Sequence, residues 1–373
     1  MAVAARTPSG WTPSPEASAA RCRDRPGIRV ASHTDRILVV GPSWVGDMVM
    51  SQSLYRHLKN TRPDATIDVF APAWSEPILA RMPEINEALE LPIGHGTIGW
   101  QTRRALGRTI RARQYDQAIL LPNSFKSALV PFFARVPLRT GWRGAFRYGL
   151  LNDLRHLDEE ALPLMVERFV ALGQAPGEAL PGEIPPPRLQ VDAGQAQRCR
   201  EKFELTAQPL LALCPGAEFG AAKRWPEASY AALAAQYLGR GWQVALFGSG
   251  NDAEVCASIN AATGGRCVDL AGKTSLAEAV DTLSLAAAVV ANDSGLMHIA
   301  AALDRPTLVV YGATSPDFTP PLSVAADYIR SELDCAPCFA RDCPLGHHRC
   351  MREITSEQVA AKLESLLARV EIV

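Results

Sequence analysis

Short apolar runs separated by amphipathic stretches recur along the whole chain. The runs at 37–40, 67–70 and 118–121 in the first half, and at 210–214, 244–247, 287–291 and 307–311 in the second, are too short for helices and lack polar alternation. Such runs predict strands buried on both faces. Between them apolar residues fall at helical spacing, as in Met50, Leu54 and Leu58, in 227–238 and in 276–285. Strands alternating with helices in this way predict an α/β chain with parallel sheets covered by helices, here as two Rossmann-like units. The segment Pro181-Gly182-Glu183-Ile184-Pro185-Pro186-Pro187 cannot continue a helix and is expected to be a stiff spacer. The predicted division is a first domain over 36–185, a second over 205–350, and a C-terminal helix over 355–373 whose packing partner the pattern leaves open. Residues 1–35, rich in Pro, Ser, Ala and Arg, are expected to form a disordered tail.

Size and charge narrow the function classes. With 373 residues, 47% of them hydrophobic, the chain is long enough for two cores. Its formal net charge of −1 gives no whole-protein positive field, so a nucleic-acid partner is not expected. No apolar run approaches the roughly 20 residues that span a bilayer, and the first 35 residues contain no apolar signal-peptide core, which predicts a cytoplasmic protein. Nine cysteines in such a protein are expected as reduced thiols.

The sharpest chemical signal is Gly41-Pro42-Ser43-Trp44-Val45-Gly46-Asp47, directly after the first apolar run and before a helical pattern. Strand, glycine loop and helix in that order normally cradle a phosphate, and Gly41-x4-Gly46 imitates a P-loop. Where that loop needs Lys and then Ser or Thr, this chain has Asp47 and Met48. A carboxylate there repels phosphate. Asp47 therefore reads either as a helix N-cap or as a general base toward a neutral hydroxyl, with the glycines giving that hydroxyl room to approach.

In the second half, three segments follow predicted strands, where an open parallel sheet places its ligand. They are Gly248-Ser249-Gly250-Asn251-Asp252, Asn292-Asp293-Ser294-Gly295-Leu296-Met297-His298, and Pro215 to Pro226 with Lys223 and Arg224. Glycine loops admit close backbone approach, the turn at 293–295 opens a helix with free N–H groups, and His298 lies one turn into it. The two cations are placed either as a surface pair or as diphosphate contacts. No Asp-x-Asp pair is present for holding a divalent metal on a diphosphate, so charge on a leaving group is expected to be met by Lys223, helix N-termini and backbone amides, and no catalytic metal is expected. Cys335-x2-Cys338-x4-Cys343-x6-Cys350, with His347 and His348 inside the last interval, has the thiolates for a structural zinc, with an iron–sulfur cluster or free thiols left open.

With these pieces assembled, the chain resembles the lipopolysaccharide heptosyltransferases, the family 9 glycosyltransferases. The resemblance is carried by ILVVGPSWVGDMVMSQSLY (37–55), LPNSFKSALVPFF (121–133), RTGWRGAFRYGLLND (139–153), CPGAEFGAAKRWP (214–226), ANDSGLMHIAAAL (291–303) and YGATSPDFTPPLS (311–323), and covers about residues 36–370. It implies a GT-B fold, two facing Rossmann-like domains, the first holding an acceptor and the second an ADP-sugar. It further implies transfer of L-glycero-D-manno-heptose from ADP-heptose to the first heptose on Kdo2-lipid A, at the cytoplasmic face of the inner membrane, by an inverting displacement that needs no cofactor. On this resemblance Asp47 is the base and Lys223 a diphosphate contact. Gly248, Ser249, Asp293, Ser294, Gly295 and His298 hold the donor, and Ser43, Trp44, Asn123, Lys126, Arg143 and Arg147 meet the acceptor. With Arg139, the cations Lys126, Arg143 and Arg147 form an expected basic surface for the acceptor's anionic groups, while Trp44 and Trp142 are either sugar-stacking or buried structural residues. The rival readings are another core transferase of the same family, a GT-B sugar-nucleotide epimerase, or a nucleotide-dependent binding protein. An NAD dehydrogenase is disfavoured because neither half opens with Gly-x-Gly-x-x-Gly after its first strand.

Overall fold

A computed structural model describes residues 35–93 and 97–370, so the expectation for the tail concerns residues that, Asp35 apart, lie outside the described ones. The apolar runs form the inner strands of two six-stranded parallel sheets. The first sheet contains β1 (Arg36–Val40), β2 (Thr66–Ala71), β3 (Glu87–Glu90), β4 (Gln117–Leu120), β5 (Leu138–Trp142) and β6 (Asp153–Arg155). The second contains β7 (Leu210–Cys214), β8 (Gln243–Leu246), β9 (Val268–Asp269), β10 (Ala288–Asn292), β11 (Thr307–Tyr311) and β12 (Ala326–Arg330).

Their orders, β3-β2-β1-β4-β5-β6 and β12-β11-β10-β7-β8-β9, are the same doubly wound arrangement. In each sheet the order reverses beside the first strand, between β1 and β4 and between β7 and β10, and ligands of such sheets bind outside the strand ends at that reversal. Strands β7 and β10 are buried throughout, and β1 along all but its first residue.

Helices of the first half are α1 (Val45–Met50), α2 (Gln52–Thr61), α3 (Glu76–Leu79), α4 (Trp100–Arg111), α5 (Leu129–Phe133) and α6 (Met165–Ala171). The second half carries α7 (Ala193–Lys202), α8 (Glu227–Gly239), α9 (Ala253–Ala262), α10 (Leu276–Leu283), α11 (Gly295–Ala302), α12 (Arg349–Arg352) and α13 (Ser356–Val370). The question left open for the C-terminal helix is decided by its apolar stripe: Val359, Ala360, Leu363 and Leu366 are buried, and α13 packs on α8, β11 and β12 of the second sheet. Among the described residues no helix is long and apolar enough to cross a membrane.

The described residues form one compact unit, in which α1 and α3 of the first half contact α11 and α10 of the second. The proline-rich stretch has no helix or strand, and its continuation is stitched down on both sides. Gln52 exchanges two hydrogen bonds with the Arg188 backbone at 2.8 Å each, and the Leu189 N–H donates to the Ala302 carbonyl at 2.9 Å. Arg81 of the first half reaches Asp281 of the second at 2.8 Å, with both side chains largely buried.

Candidate active site in the interdomain cleft

The loop after β1 and the loop after β10 meet. Helices α1 and α11 pack against one another, and the packing depends on two glycines. A Cβ on Gly46 would lie 2.7 Å from His298 Cδ2, and one on Gly295 would lie 2.8 Å from Val45 Cβ. The second glycine of the imitation P-loop therefore serves helix–helix approach, and it also lines the adjoining cleft.

Beside this contact opens a cleft of about 630 Å³. Asp47 and Trp44 line it from the first half. From the second come Lys223, Gly248, Ser249, Asp293, Ser294, Gly295 and His298, so both catalytic candidates and every donor candidate named from the sequence converge there.

Asp47 is the third residue of α1. The N-cap position belongs to Trp44, whose side chain caps nothing, and the Asp47 carboxylate makes no hydrogen bond or ion pair with any described residue. The N-cap alternative thus falls away. Burial between the cleft walls is the main cause of a carboxyl pKa raised to about 6; Lys223 pulls it down and the like charge of Asp293 pushes it up. Asp47 is then an unpaired carboxylate that titrates close to neutrality, the condition in which a general base is most effective.

Opposite it, Lys223 Nζ lies 2.6 Å from Asp293 Oδ2 and 4.9 Å from the centre of the Phe219 ring. Arg224, its neighbour in sequence, does not line the cleft; its guanidinium stands 3.9 Å from Asp252. His298 is buried, and that burial holds its pKa at about 4, so near pH 7 it is a neutral imidazole. Ser294 Oγ is buried without a hydrogen-bond partner at the start of α11, whose first N–H groups are unsatisfied by any side-chain cap. A polar atom and free amides at a helix N-terminus are what a phosphate can use.

Buried Asn292 fixes the two loops to each other. It accepts from the Trp225 N–H at 3.1 Å and the Tyr230 hydroxyl at 3.0 Å, and donates to the Pro215 carbonyl at 2.7 Å. Asp252 does the same for the glycine loop, accepting from the Ser249 N–H at 2.9 Å and hydroxyl at 2.8 Å.

Residues 103–349 match glycosyltransferase family 9 (heptosyltransferase). The chain belongs to this family. It is 52% identical over 343 residues to lipopolysaccharide heptosyltransferase 2 of Salmonella typhimurium, spanning 89% of this chain and 99% of that one. It is 51% identical over 346 residues to lipopolysaccharide heptosyltransferase 2 of Escherichia coli K12, spanning 90% and 99%. Among solved structures it superposes on E. coli ADP-heptose lps heptosyltransferase II with a TM-score of 0.81 at 50% identity, covering 90% of this chain and 99% of that chain. The glycosyltransferase family 9 protein of Veillonella parvula shares the fold at a TM-score of 0.79 and 19% identity, covering 90% and 97%. These neighbours have the two-domain GT-B arrangement expected for the family.

In this family 9 chain the acceptor candidates divide. Trp44 lines the cleft and is 47% exposed, whereas Ser43, Asn123, Lys126, Arg143 and Arg147 do not line it. Arg147 is a correction to the expected basic surface: it is buried, 1% exposed, and donates to the carbonyls of Pro122 and Trp142 and to Asn123 Oδ1. It is a strut that ties the loop after β4 to the loop after β5. Arg139 likewise is spent on the Val136 and Leu150 carbonyls. Trp142 is buried and donates to the Arg168 carbonyl at 3.2 Å, which makes it structural. Arg143 stays exposed, 2.9 Å from the Tyr148 hydroxyl.

Pattern reading missed several cleft residues, among them Glu218, Phe219, Ser275, Phe318 and Phe339. Ser275 carried a usable signal, since Ser275 with Glu278 is a capping box at the start of α10. The three phenylalanines come from loops with no periodicity.

Cys335, Cys338, Cys343 and Cys350 line one small cavity, yet among the described residues no group of three or more His, Cys, Asp or Glu side chains is placed to hold a metal ion. The expected structural zinc or iron–sulfur site thus gains no support.

Proposed function

We propose that this chain transfers a heptosyl group from ADP-heptose to the lipopolysaccharide inner core, with the first heptose on Kdo2-lipid A as acceptor. The observation that carries the reading is the unpaired Asp47 carboxylate, placed across one cleft from Lys223 and the N-terminus of α11 in a chain about half identical to two curated heptosyltransferases.

In this reading 205–350 is the donor domain and 36–185 the acceptor domain. The diphosphate of ADP-heptose lies against Lys223, Ser294 Oγ and the free amides of α11, with Gly248 and Ser249 beside it, and neutral His298 contributes a ring N–H rather than a charge. Asp293 holds Lys223 in place and accepts from the sugar. The acceptor enters from the β1, β4 and β5 loops past Trp44. Asp47 takes the proton of its attacking hydroxyl as that oxygen bonds to the anomeric carbon, and ADP leaves from the opposite face with its charge met by Lys223 and α11. One configuration is inverted and no covalent enzyme intermediate forms. The lipid acceptor makes the chain a peripheral protein at the cytoplasmic face of the inner membrane.

The test is incubation with ADP-heptose and mono-heptosylated Kdo2-lipid A, read by mass spectrometry. One added heptose per acceptor with release of ADP supports the reading. Conversion of ADP-heptose without acceptor would point to an epimerase instead, and donor binding without turnover to a binding protein.

A further inference from the structure

A second groove, of about 710 Å³, shares no lining residue with the catalytic cleft. Its walls are Trp100, Arg104, Arg108 and Arg111 of α4, Phe132 and Phe133 of α5, and the turn into β5 with Arg135 and Arg139. No acidic residue lines it, and α4 contains no Asp or Glu at all.

Arg104, Arg108 and Arg111 follow one another at spacings of four and three, so they form a single stripe on the helix. Each is exposed, as is Arg135, and none of the four forms an ion pair with a described residue. Like charges at this spacing cost helix stability, and the nearby Arg113 shows the usual remedy in its paired bonds to Glu87. The stripe lacks that remedy in a protein whose net charge is −1.

Aromatic and apolar surface accompanies the charge. Trp100 is 50% exposed, Leu138 41% and Phe132 39%, the Trp100 ring stands edge-on to Phe133 at 5.2 Å, and the Arg139 guanidinium lies 5.7 Å from the centre of the Phe132 ring. Amphipathic aromatics beside a row of arginines fit the boundary between phosphate headgroups and acyl chains.

We propose that this groove docks the protein on a bilayer surface bearing anionic phospholipid headgroups, the arginines meeting phosphates while Trp100, Phe132 and Leu138 enter the interface. The choice of a bilayer rests on the proposed lipid-linked acceptor; the charge and aromatic complementarity stand without it.

The experiment is co-sedimentation of the full chain with vesicles of phosphatidylcholine mixed with phosphatidylglycerol, and with phosphatidylcholine alone, at low and high salt. Binding is expected only to the anionic vesicles, weakened by salt. The triple variant Arg104→Gln, Arg108→Gln, Arg111→Gln should bind about a hundredfold more weakly, roughly a factor of five for each arginine near a charged surface. Its kcat and KM with a de-acylated, water-soluble acceptor should stay at wild-type values, which also shows that it folds. Trp100→Ala is a second variant outside the arginine stripe and should weaken binding to the same vesicles while sparing soluble turnover.

Equal binding to both vesicle types, or full affinity of the triple variant, overturns the proposal. A rise in KM for the soluble acceptor that matches the loss in vesicle binding also overturns it, because the groove would then hold the acceptor's own phosphates. So does binding to RNA in place of vesicles. Charge-dependent vesicle binding by a protein that transfers no heptose would instead defeat the transferase reading and leave the docking surface standing.

Discussion

Asp47 is defined by what it lacks. A carboxylate with no hydrogen-bonding partner among the described residues, in a cleft whose walls hold its pKa at about 6, is available to take a proton near neutral pH. The neighbours that set this pKa act in opposite directions, which gives the assignment a signature. In the free enzyme kcat/KM should rise with pH through a midpoint near 6 as Asp47 ionises. Lys223→Met removes the charge that lowers the pKa and should move the midpoint up; Asp293→Asn removes the charge that raises it and should move the midpoint down. Measuring the acid limb of all three proteins checks the direction of both effects, and a midpoint that stays fixed in both variants would remove Asp47 from the titration. The same shift has a stability consequence. A carboxyl raised from 3.8 to about 6 in the folded state contributes stability that is present below about 3.8 and lost as pH rises through about 6. Asp47→Asn should therefore melt at a higher temperature than wild type at pH 7.5, and this gain should shrink on going to pH 4.5.

Between elements, the decisive contact is that of α1 with α11, where His298 crosses Gly46 and Val45 crosses Gly295. Gly46→Ala puts a methyl group 2.7 Å from the His298 ring, and overpacking of this kind costs about 1–3 kcal/mol. The expected outcome is a lower unfolding midpoint together with reduced turnover, since on the proposed function the displaced imidazole and the α11 amides belong to the donor side; wild-type stability and turnover in this variant would show that the helices are not pressed together here.

How much of this was legible in the sequence follows from where each residue sits. Strands buried on both faces, β1, β4, β7, β8, β10 and β11, announce themselves as apolar runs, and β2 as a run broken only by buried Asp68; their ends are found within a residue or so of the predicted positions. The outer strands β3, β6, β9 and β12 are partly exposed and carry charge, so they have no apolar run to read. Site residues that stand at strand ends in glycine loops were visible for the same topological reason. The role of Gly46 was not, because a close approach to His298, far along the chain, leaves no local trace. Nor was the burial of Arg147, since an arginine in a loop looks the same whether it faces water or four protein acceptors.

At the scale of the molecule, the two sheets repeat one topology, and among the described residues Arg81–Asp281 is a largely buried ion pair that links the two halves. Removing one partner of a buried pair leaves an uncompensated charge at a cost of about 3–5 kcal/mol. Arg81→Met should destabilise the protein on that scale, and Asp281→Asn in the same background should restore most of the loss. Additive effects of the two substitutions in a denaturation series would mean that the pair does not couple the halves.

On the proposed function, the pairing of the two halves brings a base from one sheet to a leaving-group site on the other. That claim is tested most directly by the turnover number of Asp47→Asn with ADP-heptose and mono-heptosylated Kdo2-lipid A, in protein whose ADP-heptose affinity has been measured alongside. Loss of a general base lowers kcat by about 10²–10⁴ while donor affinity stays within a few-fold of wild type. A folded Asp47→Asn enzyme that binds ADP-heptose normally and turns over at nearly the wild-type rate would contradict the account.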